Sequence, residues 1–267
     1  MATDHLPPSN ADDDRVIASM SAMTRGSPAM FARRRRILRE ARRMMIEDGA
    51  DAMGMRELAT RSEVSLRTLY NAFGSKEALI VAAVRQYYDK FLHALSQART
   101  TYDFDWVLST LVATNLRNQQ LRDYLSALIS MYFSVTADQT IRIELRRAAA
   151  GFIGPWLELV QARRQLRRGT DITRSISHIA SLQYALNQEW LTGELSDEEL
   201  VPCVLQAVLT YLAGIVCGAA LERIDEILND INGPMTLTKA LIAREGQRMN
   251  AILDGSGNWG IAPQETD

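Results

Sequence analysis

The 25 residues from Met55 to Leu79, MRELATRSEVSLRTLYNAFGSKEAL, leave few architectures open. Met55, Leu58 and Ala59 recur at helical spacing, with Arg56, Glu57, Thr60 and Arg61 on the other side, which predicts one short helix. Only Ser62, Glu63 and Val64 separate it from the next element, room for a tight corner and nothing more. Ser65 then offers a side-chain oxygen to the first free backbone N–H groups of a helix starting at Leu66, and Ser75 does the same for a third helix. The expected unit is a helix-turn-helix.

On the second of these helices, at roughly 100° per residue, Leu69 and Phe73 point inward, Arg67 and Asn71 point directly away, and Thr68 and Tyr70 flank them. The major groove of B-DNA admits one α-helix, and arginine, asparagine and threonine match the donors and acceptors on base edges. Leu66 to Asn71 is therefore the expected recognition helix. Lys76 sits at a helix start, where the helix dipole disfavours a cation unless a phosphate oxygen is near.

These residues resemble the TetR (tetracycline-repressor-like) family of transcriptional regulators. The resemblance rests on Ala59, Val64-Ser65, Thr68-Leu69-Tyr70, Phe73, Ser75-Lys76-Glu77 and Leu79, and upstream on Ile37, Leu38, Ala41, Met44, Met45 and Gly49, so that it spans roughly residues 33 to 80. It implies an all-α dimer with a small N-terminal DNA-binding domain and a larger helical domain that binds an effector and dimerises. It also implies that Thr68 and Tyr70 contact DNA, that Lys76 contacts phosphate and that Arg56 lies close to the groove. Glu63 departs from the pattern, since the family usually has glycine in the turn, where a positive φ costs glutamate more.

Charge supports a DNA-binding end. The net charge is −2, but residues 25 to 100 carry 15 Lys and Arg against 8 Asp and Glu, leaving the remainder acidic. Phosphate neutralisation supplies most sequence-independent affinity, so the basic end is the one expected at DNA. Arg33, Arg34, Arg35 and Arg36 lead into the first helix, followed by Arg39, Arg42 and Arg43; a phosphate or minor-groove contact is the expectation, a solvated basic face the alternative.

Periodicity divides the chain into an extension (1–28), a helix-turn-helix DNA-binding domain (29–80), a helical domain (81–254), which the resemblance implies is the effector-binding and dimerisation domain, and a tail (255–267). Helices are expected at about Met30–Asp48, then from Ser75 to about Thr100, near 104–118, 120–134 and 137–165, at Asp171–Thr192, at Asp197–Ile231 with a break near Gly218, and at Thr236–Leu253. Gly151 and Gly154-Pro155 should kink the 137–165 segment. Arg163 to Gly169 reads as a basic, solvated loop, Val16 to Met23 as a weak helical turn, and no run reads as a strand.

The two long late helices correspond to the family's dimerising pair, with Tyr211, Gly214, Cys217, Gly218 and Leu221 as expected interface residues and intrachain packing as the alternative. Cys203 and Cys217, 14 residues apart on what reads as one helix, would be about 21 Å apart, too far for a bridge within the chain. No signal peptide or membrane span is read, because Pro202 and Gln206 interrupt the most apolar stretch, Val201 to Leu221; the expected location is the cytoplasm.

His5, His93 and His178 lack ligand spacing, and no nucleophile or phosphate-loop motif occurs, so no metal, cofactor or enzymatic activity is expected. Trp106, Tyr132, Phe133, Phe152, Trp156, Tyr184 and Trp190, with Asn115, His178 and Asn187 as polar anchors, are expected to line a cavity for an apolar small-molecule effector, although aromatics at helical spacing are more often plain core. The reading is a homodimeric regulator, most directly a repressor, on a palindromic operator. The alternative is an interaction module of the same fold that has lost DNA binding, with an enzyme a remote third.

Overall fold

The computed structural model describes residues 27–96 and 101–255; the expected extension up to Gly26, its helical turn and most of the tail lie outside them. Helix α1 (Pro28–Glu47) starts where Ser27 accepts from the Met30 N–H at 3.3 Å, with proline in the first turn, where its missing N–H costs nothing. It stops at Asp48 and the left-handed Gly49 (φ 80°). Its buried stripe of Ile37, Leu38, Ala41, Met44 and Met45 packs on α4 (Lys76–Ser96), with α2 (Met55–Arg61) and α3 (Leu66–Phe73) closing a small core around Leu58 and Leu69.

Helix α4 continues into the second domain. There α5 (Phe104–Gln120) is enclosed nearly all round: Trp106 to Asn115 are buried without a gap, a helix with no solvent face over these turns. Around it lie α6 (Arg122–Phe133), α7 (Gln139–Ala150), α8 (Gly154–Ala162), α9 (Ile172–Thr192), α10 (Asp197–Ile215), α11 (Ala219–Ile231) and α12 (Thr236–Gly255). The expected kink is a 3-10 turn at Gly151–Ile153, after which Pro155 sits in the first turn of α8. Asp103, Asp171 and Ser196 cap α5, α9 and α10, the last as a capping box with Glu199.

The break expected near Gly218 in the Asp197–Ile231 segment falls at Val216–Gly218, where Gly218 takes φ 61°. The 163–169 loop is fixed there rather than merely solvated: Arg167 N–H donates to the Ile215 carbonyl and Cys217 N–H to the Gln165 carbonyl, each at 2.8 Å, forming an isolated Leu166–Val216 bridge. Cys217 therefore stands in the break, and the distance argument from a single helix does not hold; both cysteines are unbridged. Helix α10 is long and apolar enough to cross a membrane by length and composition. It buries Leu200, Val204, Leu205, Val208, Leu209 and Leu212 in the body of the fold.

Candidate nucleic-acid interface and effector region

Ser65 Oγ accepts from the Thr68 N–H at 3.0 Å and exchanges a hydrogen bond with the Thr68 hydroxyl at 2.8 Å, which fixes the start of α3. Leu69 is fully buried beneath it, so the helix cannot rotate without exposing that side chain. Opposite, Arg67 and Asn71 are exposed and the Tyr70 ring is 47% exposed. Thr68 is half-buried, and Leu66 packs against the core. Gly74 (φ 82°) ends the helix, and Ser75 Oγ accepts from the Ala78 N–H at 3.1 Å as the cap of α4.

The Glu63 turn does take a positive φ, 51°. Arg36 holds it: its Nε donates to the Ser62 carbonyl at 2.9 Å and its Nη1 meets the Glu63 carboxylate at 3.1 Å, so the acidic side chain is paired within the domain. Arg34 also turns inward. Its guanidinium stands 4.4 Å over the Phe73 ring and donates to the Ala72 carbonyl at 3.1 Å, and burial lowers its pKa. Of the arginine run, Arg33 is exposed and Arg35 half-buried. Arg42 is wholly buried and bonds the Ala83 carbonyl and Gln86 of α4. These uses were not legible in a run of like charges.

Arg56 is exposed at the start of α2, and Arg61 ties that helix back to Glu47 while also pairing with Glu57. Lys76 donates to the Asp51 carbonyl at 2.8 Å, so a backbone oxygen takes the place expected of a phosphate. It borders a cavity of about 290 Å³ where Asp51, Glu77 and Ile80 face Met131, Ser134 and Asp138 of the second domain.

The residues expected to line one effector cavity are dispersed. His178 and Phe133 are exposed, and His178 Nδ1 meets the Tyr211 hydroxyl at 3.0 Å on the outer side of α9 and α10. Asn187 donates to the Asn115 carboxamide oxygen at 3.1 Å and to the Gln183 carbonyl at 2.8 Å, while Asn115 donates to Leu111 and Gln183 to Ala149. These amides satisfy one another in a ladder between α5 and α9. Trp190 Nε1 donates to Asp197 at 2.7 Å, and Tyr184 donates to the Leu145 carbonyl at 2.9 Å. Tyr132 pairs with Ser181, and Trp106 and Phe152 are buried in the core. Trp156 does border a cleft, with neighbours that the sequence did not single out. Burial raises the pKa of the Tyr87, Tyr88, Tyr124 and Tyr184 hydroxyls.

The expected interface residues do not form one stripe either. Tyr211 and Gly214 lie on α10, Cys217 and Gly218 in the break, and Leu221 on α11 against the core, because the break redirects the chain.

The first domain is thus a helix-turn-helix unit mounted on an all-helical body. Residues 37–83 match the family of bacterial regulatory proteins, tetR family. The HTH-type transcriptional repressor KstR of Mycolicibacterium smegmatis is 35% identical over 74 residues, which are 28% of this chain and 36% of that repressor. The fold is shared more widely. A protein described as a TetR-family transcriptional regulator from Rhodococcus sp. has a TM-score of 0.52 at 20% identity, covering 68% of this chain and 99% of that one. SmeT, the repressor of the Stenotrophomonas maltophilia multidrug efflux pump SmeDEF, has a TM-score of 0.50 at 17% identity, covering 70% and 92%.

Proposed function

We propose that this chain is a cytoplasmic, homodimeric transcriptional regulator, most directly a repressor, that places α3 in successive major grooves of a near-palindromic operator and is released by a small, largely apolar effector. The observation that carries the reading is the pinned α3: Ser65 caps it, Leu69 anchors it, and Arg67, Tyr70 and Asn71 stand exposed on its outer face. Repression is supported by the similarity of 74 residues of this chain to a named repressor.

In this reading Arg67, Tyr70 and Asn71 read bases or flank them, Thr68 contributes through its hydroxyl, and Arg33 and Arg56 approach phosphates. Lys76 exchanges the Asp51 carbonyl for a phosphate oxygen without leaving the α4 start. Dimerisation uses the outer faces of α9 and α10, where Tyr211 and Gly214 lie. Glu63, which with the long acidic extension hinted at an interaction module, is paired with Arg36, and this supports the regulator reading.

The test is fluorescence anisotropy with the chain's own upstream intergenic DNA, random DNA as competitor and physiological salt. Specific binding at two chains per site supports the reading, with Arg67→Ala relaxing sequence preference and Lys76→Ala weakening all sequences alike. Equal loss on specific and random DNA in Arg67→Ala overturns the base-reading role, and sequence-blind binding by the unmodified protein overturns the regulator.

A further inference from the structure

A cleft of about 280 Å³ opens between the start of α5, the end of α8 and the start of α11, in the size range of small ligand sites. Its apolar side is built from Phe104 and Trp156, whose rings lie 5.2 Å apart at 40°, and from Val160; Leu159 stands beside them 42% exposed, a large apolar side chain without cover. Ala219 and Ala220 close the α11 side with little bulk.

The charges around the cleft are unequal in what they have left to offer. The Asp103 carboxylate accepts from the Trp106 N–H at 2.9 Å and from the Thr101 hydroxyl at 3.0 Å, as the cap of α5. Asp105 is paired with Arg223 at 3.3 Å, and Arg223 also engages Glu226. Arg163, by contrast, is exposed and makes no ion pair among the described residues, with the Gln165 carboxamide two residues on. Its position is held. Arg164 takes the left-handed conformation (φ 57°) that costs an arginine where glycine fits freely, Gln165 N–H donates to the Val160 carbonyl at 2.9 Å, and the bridge to Val216 ties down the rest of the loop. Arg164, Arg167 and Arg168, all exposed, follow Arg163 in the same loop and add positive charge to it.

We propose that this cleft binds a small amphiphilic carboxylate, its apolar body against Phe104, Trp156 and Leu159 and its carboxylate at Arg163 and Gln165. Charge complementarity selects the anion: the acidic groups are already satisfied and the guanidinium is not. A route to the DNA-binding domain exists, because α5 starts in the cleft and its Arg117 donates to the Tyr87 hydroxyl of α4 at 2.9 Å. Only that consequence for DNA rests on the regulator reading; binding in the cleft does not.

The experiment is calorimetric titration of the full chain with decanoate, decan-1-ol and decyltrimethylammonium. Decanoate is expected to bind one per chain, more tightly than the alcohol, with the cation not binding. Arg163→Gln should weaken decanoate about tenfold, the loss of one charge-assisted contact, and leave the alcohol unchanged. Ala219→Trp should fill the cleft and abolish both, with circular dichroism melting confirming that each variant folds. Absent decanoate binding, equal binding of all three probes, or undiminished binding in folded Ala219→Trp overturns the proposal. Operator binding in the same samples separates the two proposals. Protein that binds operator but no decanoate overturns the site and leaves the regulator, while protein that binds decanoate but no specific DNA keeps the site and removes the regulator.

Discussion

Asn71 on α3 and Asn187 on α9 are the same residue on the same kind of helix, and they do opposite things. Asn71 is exposed on an eight-residue helix that buries one side chain, Leu69, so its amide is available to a partner. Asn187 is 1% exposed on a helix packed against α6, α7, α8 and α10, and its amide is spent on Asn115 of α5 and Gln183. A polar side chain becomes a recognition element or a structural one according to how many faces of its helix are covered. The desolvation cost of an unpaired buried amide then forces the second kind to find internal partners.

The largest effect that can test this contrast is Asn187→Ala. It strands the Asn115 oxygen and leaves a void, and should cost about 3 kcal/mol in urea unfolding; a loss below about 1 kcal/mol would mean that the ladder relaxes or admits water. Asn71→Ala should leave stability within about 0.5 kcal/mol and weaken operator binding by about 2 kcal/mol, read by anisotropy. Destabilisation without loss of specificity would erase the distinction between the two asparagines.

Smaller effects sharpen the exposed side of the comparison. Ser65→Ala removes the cap that orients α3 and should cost about 1 kcal/mol in thermal unfolding. Glu63→Gly relieves the left-handed turn while losing a solvent-exposed pair with Arg36, and should gain roughly 0.5 kcal/mol as a higher Tm. A lower Tm would show that the Arg36 contact outweighs the backbone strain.

Local elements were widely legible. Ser65 and Ser75 announce helix starts through short-range hydrogen bonds, Gly49 announces a stop, and Gly154-Pro155 announces a kink, all effects that act within a few residues. The inward face of α3 was legible for the same reason. The inward turn of Arg34 and Arg36 was not, because their partners Ala72, Phe73, Ser62 and Glu63 lie 26 or more positions away. Nor was the dispersal of the expected effector lining, where aromatic residues on separate helices carry no mark of whether they meet one another or a void. The cleft beside Trp156 was missed because Arg163 reads as an ordinary solvated charge until the bridge at Leu166 and Val216 sets its loop in place.

By itself the sequence determined that this chain is all-helical, where most helices begin and end, and that Leu66 to Asn71 forms an amphipathic recognition-type helix, since capping, glycine conformation and 3.6-residue periodicity are local properties. Tertiary structure alone decided which polar groups are consumed and which remain available. Asn115 and Asn187 are paired only because packing brings α5 and α9 together at these residues, and Arg163, without an ion pair among the described residues, stands beside the cleft because the break after α10 fixes its loop. Burial and partnership are properties of the packed whole, and a charge or an amide has no fixed role until packing sets its dielectric surroundings and its neighbours.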